Sequence, residues 1–461
     1  MNVFRVVLVL CHAAIALIGC AAPCDLSAVR RELATSGPGD IVVLRCPVEG
    51  ALVVPAGVTL RGPSVLTLGN ESVVLQTSAG LTTSLENVRI ESDRLAVLTE
   101  GDGTARVDGV TIEPNRGVGI ALGSATSEVL RSEIRGNVTR ANRDDPRWLN
   151  VRASDDATHG VVVSRGQVTL RMVTILGFAS VGLALGIGLA GMESGPLQAE
   201  LSDSRVGEGL GIGIAARGES LIMENVSVSD IWSGVRGWPS YAVLLDGPST
   251  SSNQLRIQQV DGYGLVALAG DGMHAGLSVE QTGDVGVWVG RSVQMTIMGP
   301  DARIVNTGFA GLLAVDAAMV RMDNVTIDTV RAERRTVGVR GAIEVGDGLN
   351  LFGTPFVLSN LAILRASRIG VLLDSAQRVD ASTLFDVEIT SEGAGLGAVL
   401  GSIDRSREEV ASASRPGWDA RVTRMGTATA NDAAFTGSLP VALATQPPSA
   451  VDARGVIAPM Y

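Results

Sequence analysis

A short phrase recurs along the chain: Leu85-Glu-Asn-Val-Arg-Ile90, Val107-Asp-Gly-Val-Thr-Ile112, Met223-Glu-Asn-Val-Ser-Val228, Met322-Asp-Asn-Val-Thr-Ile327 and Leu384-Phe-Asp-Val-Glu-Ile389. Each copy is a brief alternating apolar strand with a turn-forming residue inside it. A period of 22 to 30 residues in such a phrase specifies stacked coils rather than a globular core. Ile90, Ile112 and Ile134 are 22 residues apart in each step, as are Val206 and Val228, so equivalent residues should stack from coil to coil. Asn87, Asp203, Asn225, Asn324, Asn360 and Asp386 hold one place in this repeat. Asn and Asp tolerate left-handed corners and hydrogen-bond along a stack, which makes these residues a structural ladder rather than a catalytic set.

A second strand motif falls between the copies, as in Gly117-Val-Gly-Ile-Ala-Leu122, Gly160-Val-Val-Val163, Gly264-Leu-Val-Ala-Leu268, Gly286-Val-Trp-Val289, Gly311-Leu-Leu-Ala-Val315 and Gly370-Val-Leu-Leu373. Here Gly is expected to permit a tight corner while the alternating apolar residues point inward. Because each coil packs only on its neighbours, one array can fill 461 residues without splitting into domains. The low aromatic content, 3%, means Val, Leu, Ile and Ala must fill the interior. An open coil end exposes core and unpaired backbone, so Asp25 to Leu33, with helical spacing of its apolar residues, is expected to cap the first coil.

The segment Gly39-Asp-Ile-Val-Val-Leu44 with Leu52-Val-Val-Pro-Ala-Gly-Val-Thr-Leu-Arg-Gly62 resembles the entry of proteins in the pectin-lyase-like superfamily. That resemblance, with the repeats to about residue 400, implies an all-β, right-handed parallel β-helix with a short N-terminal capping helix. The expected organisation is a leader over 1–19, helix and β-helix over 20–400, and a C-terminal cap and loose tail over 401–461.

Met1 to Cys20 reads as a secretion signal, with Arg5 followed by the apolar run Val6 to Ile18, too short to span a bilayer. Its end, Leu17-Ile18-Gly19-Cys20, resembles the bacterial lipobox, which implies acylation of Cys20 and anchoring in the cell envelope. Ala21 is not the aspartate that retains such lipoproteins at the inner membrane, so the outer membrane is the expected address in a diderm cell. Cys11 leaves with the leader, and Cys24 and Cys46 remain to pair as a disulfide in an oxidising compartment. The formal charge of -11 argues against nucleic acid, which requires a basic patch. All 37 basic residues are Arg, which removes lysine-based catalysis.

Glu91, Glu113 and Arg135 share one coil position, and Asp93, Asn115 and Asn137 another. Stacked carboxylates repel and attract a cation, so this is either a solvated charge ladder relieved by Arg135 or a site for calcium or an acidic sugar. The pectate-lyase resemblance implies carboxylate-bound calcium and an arginine base, for which Glu91, Asp93, Glu113 and Arg135 are the candidates. The insertion through Asp144, Asp145, Asp155 and Asp156 to His159 is a polar loop that could hold a cation. His159-Gly160 lacks the preceding glycine of the Gly-His-Gly motif in polygalacturonase-like hydrolases, and His274 reads as a loop histidine. Trp232, Trp238 and Tyr241 cluster around Arg236 and form either a glycan-stacking platform or ordinary packing.

The expectation is therefore a lipid-anchored, extracytoplasmic, non-catalytic β-helix whose surface binds a glycan or another envelope component. The alternatives are a polysaccharide lyase or hydrolase acting on acidic glycans, and a structural spacer or adhesin.

Overall fold

In the computed structural model the chain is the expected all-β parallel β-helix with a short capping helix. The structure describes residues 24–367 apart from 115–116, 146–157, 188–194, 234–239, 332 and 337–341, together with 369–374, 383–391, 394–399, 406–407 and 418–424. The segment expected to be a leader, Cys20, Asn115, Asp155, Asp156, Arg236 and Trp238 lie outside the described residues, as does the side chain of Asp386.

The helix Leu26–Thr35 starts at Asp25, whose carboxylate accepts a hydrogen bond from the Ser27 amide at 3.0 Å, and its apolar face buries Val29 and Leu33. Cys24 and Cys46 form a disulfide, tying the chain ahead of the helix to the first coil. Closing a loop of 22 residues in this way contributes about 3 kcal/mol in the chain-entropy account.

Each coil contributes three strands, which stack in parallel into three sheets. One coil shows the order: Leu85 and Glu86 lie in sheet I, Val88 to Glu91 in sheet II, and Val97 to Thr99 in sheet III. The repeat residues stack in sheet II with Ile90 on Ile112, Ile112 on Ile134, Ile134 on Ile175 and Ile175 on Val206. Their side chains fill the coil interior, where nearly all are fully buried. The same parallel pairing continues to Trp418–Arg424 on Thr383–Ser391, so a strand of sheet II lies within the segment expected to be cap and tail.

The corner between sheets I and II carries the Asn and Asp residues, and it is left-handed as expected: φ is 54° at Asn87, 49° at Asp203, 51° at Asn225, 56° at Asn324 and 48° at Asn360. Part of the ladder is closed by side chains, since the Asn225 amide donates to Asp203 and the Asn360 amide to Asp323, each at 2.9 Å.

Sheet III departs from expectation twice. Most glycines of its motif do not sit at a positive φ. Gly160, Gly182, Gly213, Gly264, Gly286, Gly311 and Gly348 stack instead as a ladder in which coil approaches coil too closely for a side chain. A Cβ on Gly286 would lie 2.6 Å from the Gly311 carbonyl oxygen and 2.5 Å from Ile304, and one on Gly311 would meet the Gly348 oxygen and Ile327 at 2.7 and 2.6 Å. Glycine is therefore required by contact with the sheet II interior rather than by a corner. Ala242 occupies the rung between Gly213 and Gly264, so the ladder yields to one methyl there.

The second departure is that the apolar residues of sheet III do not all point inward. Ile120, Val161, Leu183 and Ile214 fill the coil, whereas Ala121, Val162, Ala184, Ala215, Leu244, Val266, Trp288 and Leu313 form a separate in-register column on the outer face. That column is also buried, none of its members being more than 5% exposed. A strand buried on both faces reads as a continuous apolar run, which is why its sequence does not alternate.

Candidate functional site

Sheet II is the face on which charge accumulates, because the residues either side of its buried Ile/Val column point outward. Glu91 and Glu113 are direct neighbours, and the register carries Arg135 to the next coil beside them, as the 22-residue spacing predicts. The cation that relieves them is a different one. The Arg89 guanidinium lies 3.3 Å from Glu91 and 2.8 Å from Glu113, whereas Arg135 turns back to Glu133, with contacts of 2.9 and 2.6 Å. Arg89 and Glu113 are on neighbouring coils and diagonal to one another, while Glu133 shares Arg135's own outer face two residues earlier. Asp93 lies beyond the strand end, exposed, with its backbone amide donating to the Gly69 carbonyl at 2.6 Å.

A similar ladder runs along sheet I. Arg106 and Arg131 converge on the buried carboxylate of Asp108, at 2.9 and 2.7 Å, and Arg131 leads in holding its pKa below the usual range. Such interleaved charges are the structural version of the pattern.

The other candidate groups separate. Asp144 is almost fully exposed, 3.8 Å from Arg143, while the neighbouring Asp145 takes part in the turn through its amide hydrogen bond to the Asn142 carbonyl. Among the described residues, no group of three or more His, Cys, Asp or Glu side chains is arranged to hold a metal ion.

The aromatic platform is not an exposed surface at its described positions. Trp232 is buried with Val138, Ala179 and Leu210, and Arg143 lies 5.6 Å from its ring centre. Tyr241 is buried on the outer face of sheet III, stacked on Tyr263 at 5.5 Å. Tyr241 lies on the covered outer face of sheet III and Trp232 is packed within its own apolar cluster, so neither ring is an exposed stacking face.

Both described histidines are core residues rather than loop residues. His159 is the second residue of the strand Thr158–Val163, pairs with Val118 and has no hydrogen-bond partner on either ring nitrogen among the described residues. Burial lowers its pKa to about 4, with the Val181 backbone, near the ring but outside hydrogen-bond geometry, offsetting part of the effect. His274 lies in the coil interior with Nδ1 2.7 Å from the Ser252 hydroxyl and Nε2 without a partner among the described residues, and burial lowers its pKa to about 4 as well.

A feature that sequence reasoning missed is a cleft of about 690 Å³ on the outer face of sheet II, over the strands Arg256–Val260, Ser278–Thr282, Gln294–Thr307 and Met319–Val330. One wall is built by an insertion. Met298 pairs with Asp323 and Ala302 with Val325, so Gly299, Pro300 and Asp301 stand where the next coil has Asn324 alone. The sequence signal is the step from Val279 to Ile304, 25 residues in place of 22.

No protein-family model matches the chain, and no curated protein matches it. Two solved structures are similar in outline. The periplasmic alginate epimerase AlgG is 9% identical over 82% of this chain and 84% of its own, with a TM-score of 0.32. The A-module of the Azotobacter vinelandii mannuronan C-5 epimerase AlgE4 is 13% identical over 80% and 94%, with a TM-score of 0.35. At these values neither bears on the chemistry of this chain.

Proposed function

We propose that the chain is a bacterial envelope lipoprotein of pectin-lyase-like architecture, anchored through Cys20 at the outer membrane, whose β-helix presents a non-catalytic surface to a glycan or another envelope component. The observation that carries the non-catalytic part is Arg89 set between Glu91 and Glu113. A carboxylate pair serving as acid and base, or as a calcium site, needs free oxygens facing the ligand, and here a guanidinium already engages both. Burial of Trp232 and Tyr241 directs recognition toward polar side chains instead of ring stacking. Anchoring is tested by fractionation of cells: replacing Cys20 by Ser should move the protein from the membrane to the soluble fraction. Unchanged membrane association in that variant contradicts the anchor.

A further inference from the structure

We propose that the cleft on sheet II is a binding site for an anionic, hydroxyl-rich ligand, a sugar bearing a carboxylate or phosphate, with Arg256 as the group that takes the anion. The proposal rests on the glycan-binding reading above and gives it a location and a ligand chemistry.

The floor of the cleft is an in-register column in which Arg256, Ser278, Arg303 and Thr326 follow one another from coil to coil. Two of the charged groups lining it are already engaged. Arg303 is paired with Glu280 and donates to the Ser278 hydroxyl at 3.2 Å, while Asp328 accepts from Arg365 at 2.7 Å. Arg256 is different. It is exposed, and its guanidinium makes no hydrogen bond or ion pair among the described residues. In the ladders of sheets I and II an arginine at such a position finds a carboxylate on its own or the next coil, as Arg89, Arg106 and Arg135 do. The direct neighbours of Arg256 are instead Ser227 and Ser278, and the diagonal carboxylate on the next coil, Glu280, is taken by Arg303.

The remaining polar lining completes the specificity. The side chains of Gln254, Gln258 and Asp301 border the same volume and are likewise without hydrogen-bond partners among the described residues. A glutamine amide both donates and accepts, and a carboxylate accepts, which suits vicinal hydroxyls. A guanidinium fork matches the two oxygens of a carboxylate or phosphate. Among the described residues no aromatic side chain lines the cleft, so they offer no stacking face for a nucleobase, and its volume falls within the range of small-ligand sites. Pro300 and Asp301, raised by the insertion, would close one side of a ligand lying across the coils.

The test is calorimetric titration of the mature full-length chain with glucuronate and galacturonate oligosaccharides, with glucose 6-phosphate, and with neutral oligosaccharides of matching length. Binding by an acidic probe, weakened at least tenfold by Arg256→Gln and by raised salt, is the expected result. The carboxylate and phosphate arms identify which anion the site prefers. Arg321→Gln, on sheet I and outside the cleft, should leave affinity unchanged. Acidic probes that bind Arg256→Gln as tightly as the parent overturn this location while leaving glycan binding intact. Neutral probes binding as well as acidic ones overturn the anion chemistry, and no binding by any probe overturns both the site and the reading beneath it. Because Arg256 is exposed, its variant should melt as the parent does, so a lost affinity is read as lost contact.

Discussion

Taking the protein from pH 7 to pH 5 is expected to remove about 4 kcal/mol of folding stability, about 2 kcal/mol for each of His159 and His274. Both histidines are buried and neutral in the folded chain, with pKa values lowered to about 4 from an ordinary 6.5. As pH falls below 6.5 the unfolded chain takes up protons that the folded chain refuses, so stability declines between 6.5 and 4 and levels off below. The carboxylates of Asp108, Asp323 and Asp328, held low by their hydrogen bonds, lose their contribution only as pH falls through their own lowered values. The histidine window therefore comes first. Urea unfolding at stepped pH checks this, and His159→Leu with His274→Leu should flatten the decline above pH 5. A parent protein equally stable at pH 7 and 5 would show that both rings reach water, and a loss of about half the expected size that one does.

The second large effect is expected at the glycine ladder. Gly286→Val places a branched side chain where even a Cβ would meet the Gly311 carbonyl oxygen at 2.6 Å, Ile304 at 2.5 Å and Thr307 at 3.0 Å. Two of these contacts belong to the interior of sheet II and one to the backbone of the next coil, so relief requires the coils to separate. Overpacking of this kind costs about 3 kcal/mol. Gly69→Val, at a loop glycine with nothing near its Cβ position, is a poor control because φ there is 55° and the strain would be conformational. Gly37→Ala is the better one, with negative φ and only the Asp40 carboxylate 4.0 Å away, and it should change stability little. Thermal unfolding of the three proteins decides the matter. A Gly286→Val melting point equal to that of Gly37→Ala would mean the coils tolerate a bulge at this rung, as they tolerate Ala242.

The sequence made the fold legible because period and residue type agree: Ile and Val at one coil position stack in the interior, and Asn at another accepts the left-handed corner. Register followed from the same spacing, which is why Glu91 meets Glu113 as expected. What remained hidden were choices made across coils. Arg89 and Arg135 have equal claim on the glutamates by residue type, and the engagement of Arg135 by Glu133 is visible only in the structure. Strands such as Val285–Val289 are apolar at every residue, so the sequence could not tell the interior Val287 from the outward Trp288. The aromatics near Arg236 looked like a platform for this reason, and the described ones are packing. Gly at the head of each sheet III strand suggested a corner, because a glycine needed for close approach carries the same letter as one needed for φ. The cleft was encoded only as an irregular step, and nothing in that step announces that Arg256 would be left without a carboxylate.

The role proposed for this β-helix is to bind acidic glycan without cleaving or remodelling it. Residues 21–461 should be incubated with uronate-rich and neutral polysaccharides, with and without calcium, and assayed for new unsaturated and reducing ends. Retention of acidic polymer by the protein with no new ends in either condition is the expected result. Unsaturated or reducing ends that accumulate in proportion to protein concentration would contradict it and make the chain an enzyme.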